Sequence, residues 1–173
     1  PNITPSSVTM CLGDPAVRLT CSTSSSATVT ASSGTSSVPI PDGTGVAAIH
    51  TLNVAGVPAA GTIAEVRVTM NINHTWVGDV DVNLRAPNNA ILNLVGGLDG
   101  GTGGNATDDF VNTTFSSLGG AAISGAAAPR TGTYAAEARA GYGPIGYIQT
   151  VNNWLALAPT ATAANGAWTL AMG

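Results

Sequence analysis

From Glu65 to Asn73 polar and apolar residues alternate without a break: Val66, Val68, Met70 and Ile72 fall on one side, Glu65, Arg67, Thr69, Asn71 and Asn73 on the other. A period of two over this length predicts a half-buried β-strand. The pattern resumes in "GDVDVNLRAP", with Val80, Val82 and Leu84 inward and Asp79, Asp81, Asn83 and Arg85 outward. "PNN", residues 87–89, predicts a turn, and "AILNLVG" the next strand. "GVAAIHTLNVAG", "FVNTTF" and "GAWTLAM" also read as strands. "SSLGGAAISGAAAPRTG" is too punctured by glycine for a helix, and "YIQTVNNWLALAP" fits either a strand or one helical turn with Trp154 buried. Many short strands with turn signals between them predict an all-β fold, an antiparallel β-sandwich.

Residues 1–37 are different in texture. They hold two short β-like runs, residues 8–12 and 16–21, and then "STSSSATVTASSGTSS", which is either a linker or a weakly hydrophobic strand pair. The chain therefore divides into an N-terminal extended β segment, 1–37, and a sandwich domain, 38–173. At 173 residues the chain suits one medium domain. A chain of this size buries roughly 70% of the surface it exposes when unfolded, so a core forms without help from metals or disulfides.

Composition narrows the function classes. Only 8% of residues are charged, lysine is absent, and five scattered arginines face nine acids. A nucleic-acid binder would show a basic patch, which is missing. No apolar run reaches about 18 residues, so no membrane-spanning helix is expected. A surface of Thr, Ser and Asn rather than Lys and Glu is the dialect of secreted all-β proteins. No signal peptide is present, and the first residue is a proline, so the chain reads as mature, cut or partial. Cys11 and Cys21 are candidates for a disulfide, which fits an oxidising compartment. In a tight hairpin about Gly13-Asp14-Pro15, however, Cys11 would face about Val17, so pairing requires a wider loop or strands that do not pair with each other.

The blocks "IPDG" (40–43), "VRVTMNINHTWVGDVDVNLRAPNNAILNL" (66–94), "FVNTTF" (110–115), "APRTGTY" (128–134) and "NGAWTL" (165–170) occur in that order. Together they resemble the P domain, or homo B domain, that follows the catalytic domain of subtilisin-like proprotein convertases and occurs on many bacterial secreted proteins. His74, Trp76 and Gly78 sit in the most specific block and are assigned to a structural corner. The resemblance covers about residues 38–171. It implies a jelly-roll β-sandwich and a non-catalytic role in folding, stabilising or positioning a neighbouring domain. Bacterial members often bind calcium. Three departures stand out: Ser116-Ser117-Leu118 where acids usually follow, an Ala- and Gly-rich region at 135–164, and an end at Gly173 where the family continues into a last strand.

Calcium is the metal that the acids favour. It wants six to eight oxygens from carboxylates, carbonyls and amides. Asp79 and Asp81 are two apart on a strand and point the same way. Asp99, Asp108 and Asp109 flank the glycine-rich loop 96–109, whose carbonyls can turn inward because glycine permits positive φ. The competing reading is a solvated acidic rim with Asp79 capping a turn. His74 reads as a corner histidine rather than a base, since catalysis would need a nucleophile and an orienting acid. His50 is the other histidine, and two histidines leave little material for a zinc site. "GTSSVP" faintly echoes the subtilisin nucleophile turn, with Ser36 in that place, but the companion motifs are absent and a hydroxyl without a base is a weak nucleophile. Trp76, Trp154 and Trp168 offer a weak case for a carbohydrate platform. Asn2, Asn73, Asn105 and Asn112 begin glycosylation sequons that matter only in a eukaryotic secretory pathway.

The expected function is thus a secreted or cell-surface accessory or adhesive module, not an enzyme, stabilised by calcium. Its expected partner is a neighbouring domain of a parent protein or further copies of itself. The rival is a structural subunit of an extracellular filament or surface layer, in which the N-terminal strand of one subunit fills a sheet edge of the next.

Overall fold

The computed structural model describes residues 6–12, 21–22, 28–34, 36–41, 45–59, 63–74, 77–98, 109–157, 160 and 162–173. The uninterrupted alternation forms β5 (Ile63–Ile72), and Val66, Val68, Met70 and Ile72 all enter the core. The other strands are β1 (Ser6–Leu12), β2 (Cys21–Ser22), β3 (Thr28–Ser32), β4 (Ala48–Val54), β6 (Val82–Arg85), β7 (Ile91–Val95), β8 (Phe110–Ser116), β9 (Arg130–Tyr134) and β10 (Gly166–Met172). One helical turn, α1 (Trp154–Leu157), interrupts the strands.

Two sheets face each other. One has six strands in the order β2-β3-β1-β5-β8-β9, the other four in the order β4-β10-β6-β7. Trp168, Phe110, Phe115, Met70, Leu84, Leu92, Leu94 and Leu170 fill the space between them and are fully buried. The Trp168 ring resolves its one polar atom by donating Nε1–H to the Ala164 carbonyl at 2.8 Å. Asn165 clamps the segment after β4, with its amide accepting from Val57 N at 3.0 Å and donating to Val57 O at 2.8 Å.

The sandwich is all-β as expected, but the larger sheet is mixed rather than antiparallel. β1 runs parallel to β3 and to β5, and β8 runs parallel to β9. β1 lies inside the six-stranded sheet, in register with β5 from Ser7↔Glu65 to Leu12↔Met70. Part of the Ser/Thr-rich stretch is itself a strand, β3. Of the run 16–21 only Cys21 is among the described residues, and β3 separates β2 from β1. Cys11 stands opposite Ser32 and Cys21 opposite Val29.

"YIQTVNNWLALAP" resolves as the helical turn. Leu157 is its fully buried anchor, while Trp154 packs only partly against the core. The turn at 87–89 closes through Asn89 N–H to the Ala86 carbonyl at 2.9 Å, and Asn89 takes φ 67°.

Candidate functional site

Chain direction brings Asp79, Asp81 and Asp109 to one end of the sandwich. β5 ends there and leads through a 3-10 turn at Val77–Asp79 into β6, while β7 ends and β8 begins on either side of the loop 96–109. Asp79 is exposed and Gly78 is buried. Asp99, Asp108, Thr75 and Trp76 lie outside the described residues.

Asp109 is tied to the end of β5. Its carboxylate accepts from the His74 backbone N–H and from Asn73 Nδ2, both at 3.1 Å. An acid just before β8 thus holds the backbone amide of His74. Asp81, on the facing sheet, accepts from Gly143 N–H at 3.1 Å. Burial pushes the Asp81 carboxyl above the ordinary aspartate range, against the pull of the Gly143 and Gly97 amides and of the Arg139 charge. Asp81 and Asp109 thus both carry protein hydrogen bonds. Among the described residues no three His, Cys, Asp or Glu side chains gather as a metal-holding group.

Asp81 is one corner of a larger polar construction that the sequence did not reveal. Asn83 and Asn93 face each other across β6 and β7 on the outer side of the four-stranded sheet, yet both are fully buried. Residues 137–151 lie over them. Asn93 Nδ2 donates to Asn83 Oδ1 at 2.7 Å and to Val95 O at 3.0 Å, and Asn93 Oδ1 accepts from Arg139 N at 3.3 Å. Asn83 Nδ2 donates to the Tyr142 and Tyr147 carbonyls at 2.9 and 2.5 Å. Gly143 passes so close to Asn83, at φ 129°, that a Cβ there would collide with the amide.

The same cover satisfies the edge of β7. Thr150 N and Val151 N bond Ile91 O at 2.8 and 3.0 Å, Ala138 N bonds Asn93 O at 3.1 Å, and Glu137 N bonds Leu94 O at 3.0 Å. An edge strand would otherwise offer these groups to another chain. Arg139 locks the corner: its guanidinium donates to the Gly96 and Gly97 carbonyls and to Tyr142 Oη, and stacks 3.9 Å from the Tyr142 ring centroid. The only hint in the sequence was Asn at matching outward positions of two predicted strands, where a solvated face was the simpler reading.

Glu65 follows the same logic on the other sheet. Its phase is outward, but it is buried, accepting from Ser116 Oγ at 2.5 Å and from Arg67 Nε. Ser116 and Ser117, where acids were expected, therefore serve β5: Ser117 Oγ also accepts from Val66 N at 2.8 Å. Trp168 belongs to the core and Trp154 is partly buried. Ser36 is exposed, on the connection between β3 and β4.

A family model described as the proprotein convertase P-domain matches residues 63–135. That span runs from β5 through β9 and includes the corner at 74–81. The early "IPDG" block, the β10 motif and the cover segment 137–151 fall outside it. Searches of curated proteins and of solved structures find no match.

Proposed function

We propose that this P-domain-type chain is a non-catalytic accessory or adhesive module of a secreted or cell-surface protein, stabilised by calcium at the end of the sandwich where its acids collect. The match over residues 63–135 carries the reading, since the P domain is an accessory domain of proteases rather than their catalytic one. In this reading the polar side chains of the matched span organise backbone: Asp109 closes the corner at His74, and Ser116 and Ser117 hold β5.

The calcium would sit where Asp79 and the loop 96–109 meet the corner. Asp79 is exposed there, and each carboxylate oxygen of Asp109 can still accept beyond its one protein bond. Asp81 is the least suited of the described candidates, because it is partly buried and already accepts from Gly143. Bound calcium would hold the 74–81 corner and the 96–109 loop together without taking part in chemistry.

Placement of β1 favours a self-contained module over a strand-donating filament subunit. The strand fills the position beside β5 in its own chain, in register over its length. The test is a thermal melt in chelator and in millimolar calcium. At a hundredfold excess over Kd the ion adds about 2.7 kcal/mol, or roughly 5–11 °C for a chain of this size. Superimposable melts would remove the calcium from the proposal.

A further inference from the structure

Two open sheets have four edges, and among the described residues the edges at β7, β9 and β2 are blunted. Residues 137–151 cover β7, with their amides bonded to its carbonyls. The pairing of β9 with β8 shifts register between Phe110 and Thr113, Gly132 takes φ 116°, and Ala121 bridges the end of the strand. β2 is two residues long. Cover, irregularity and shortness are the ordinary devices that keep a sheet from pairing with another chain.

β4 has none of them. Its seven residues pair with β10 from Ala48↔Met172 to Val54↔Gly166 without a shift in register. It holds no proline, glycine or charged residue, and no Asp, Glu, Lys or Arg occurs between Asp42 and Glu65. Among the described residues no segment bonds its other side. Ala48, Leu52 and Val54 anchor the strand in the core, while Ile49, Thr51 and Asn53 are exposed on the outer face, Ile49 to 43%.

Such an edge offers a row of amides and carbonyls that another extended backbone satisfies best. Side chains on its two faces say what kind of strand fits. On the outer face the newcomer would lie beside Ile49, Thr51 and Asn53, apolar and then small and polar. On the inner face, beside His50, the sandwich opens into a cleft of about 290 Å³ that His74, Ile40, Ile72 and Met172 also line. No carboxylate or guanidinium lines it, so a charged residue would lose hydration there without gaining a partner. A second copy fits poorly. Antiparallel pairing about a two-fold axis at Thr51 would set Ile49 against Asn53 and His50 against Leu52, an apolar residue against a polar one on both faces.

We propose that β4 is a docking edge for an extended, uncharged segment of a partner protein, which joins the four-stranded sheet as a further strand beside β4. The segment carries apolar residues at alternate positions. This rests on the adhesive reading above, to which it supplies a mode of contact, and it is independent of calcium.

The probe is a phage-displayed library of random peptides about ten residues long, enough to span the strand, selected against the intact chain. Enriched sequences should be uncharged, with apolar residues at every second position. A synthetic copy with capped ends should protect the β4 amides that point away from β10 from hydrogen exchange, and leave β7 and β9 unchanged. Methylating one alternate set of its amide nitrogens should abolish binding, and methylating the other set should not, because only one set faces β4. Ile49→Lys and Asn53→Lys put a charge beside the edge at exposed positions, and each should weaken binding by about tenfold or more. Unchanged melts check that both variants fold. A library that yields no enrichment, a charged consensus, protection away from β4, or indifference to both methylated peptides overturns the proposal. So does a chain that dimerises on concentration and stays monomeric as Ile49→Lys, which would make the occupant a second copy.

Discussion

Replacing Asn93 by leucine should cost far more than its place on the outer side of a sheet suggests. The substitution keeps the branched heavy-atom outline, with bulkier methyl groups in place of the amide, and deletes three hydrogen bonds: to Asn83 Oδ1, to Val95 O and from Arg139 N. A net contribution of about 0.5–1.5 kcal/mol each would give roughly 3 kcal/mol. The partners left behind set the upper end. Asn83 is fully buried, and its orphaned oxygen alone carries a penalty of about 1–3 kcal/mol. Leucine recovers part of this through apolar burial, so we expect a net loss of about 3 kcal/mol. Equilibrium urea unfolding reads it as a lower midpoint with an unchanged slope. Asn53→Ala, at an exposed position of β4, should shift the midpoint by less than about 0.5 kcal/mol equivalent. The reasoning also locates the damage. Amides that the cover donates to β7, those of Ala138, Thr150 and Val151, should lose hydrogen-exchange protection in Asn93→Leu before the core strands do. A loss below about 1 kcal/mol, or protection at these amides unchanged, would mean that segment 137–151 is not pinned by the asparagine pair.

Other expectations follow the same geometry. Asp81 has a raised carboxyl pKa, so its proton binds the folded state more tightly, and its contribution is present below the unfolded value of about 3.8 and lost as pH rises through the folded one. Asp81→Asn is therefore expected to compare best with wild type at neutral pH and to lose ground on acidification; a difference independent of pH between 7 and 4 would refute this. His50 has the opposite sign of effect: its pKa is depressed by burial, so it supports stability above about 6.5 and loses that support as pH falls. His50→Gln should flatten the stability profile between pH 7 and 5, read by urea midpoints. Glu65→Gln should destabilise by about 1–2 kcal/mol by weakening charge-assisted bonds to Ser116 and Arg67, measured by the same unfolding curves.

Strands that write a period of two were legible because one face meets the core and the other does not. β5 and β6, along with β10 around Trp168 and Leu170, could be placed from their alternation alone. Insertion of β1 between β3 and β5 could not, since parallel neighbours are chosen by long-range packing and leave no turn signal. The phase of Asn83 and Glu65 was read correctly as outward, that of Asn93 was not read, and the burial of all three was hidden. For the asparagines it depends on residues 137–151, an irregular segment whose Ala and Gly carry no periodicity. Asp79, Asp81 and Asp109 share an end through chain direction, whereas the partners of Asp81 come from Arg139 and Gly143, some sixty positions away. The cleft shared by His50 and His74 was equally invisible, because the two belong to different sheets.

The account rests on a self-contained sandwich whose own first strand occupies the position beside β5. Light scattering on the intact chain and on a variant lacking residues 1–22, over a wide concentration range, tests it most directly. The intact chain should hold the 17.0 kDa monomer mass throughout, and the shortened one, with the β5 edge uncovered, should be less stable and prone to associate. An intact chain that polymerises with concentration, and becomes a stable monomer once residues 1–22 are removed, would contradict it and point to strand exchange between subunits.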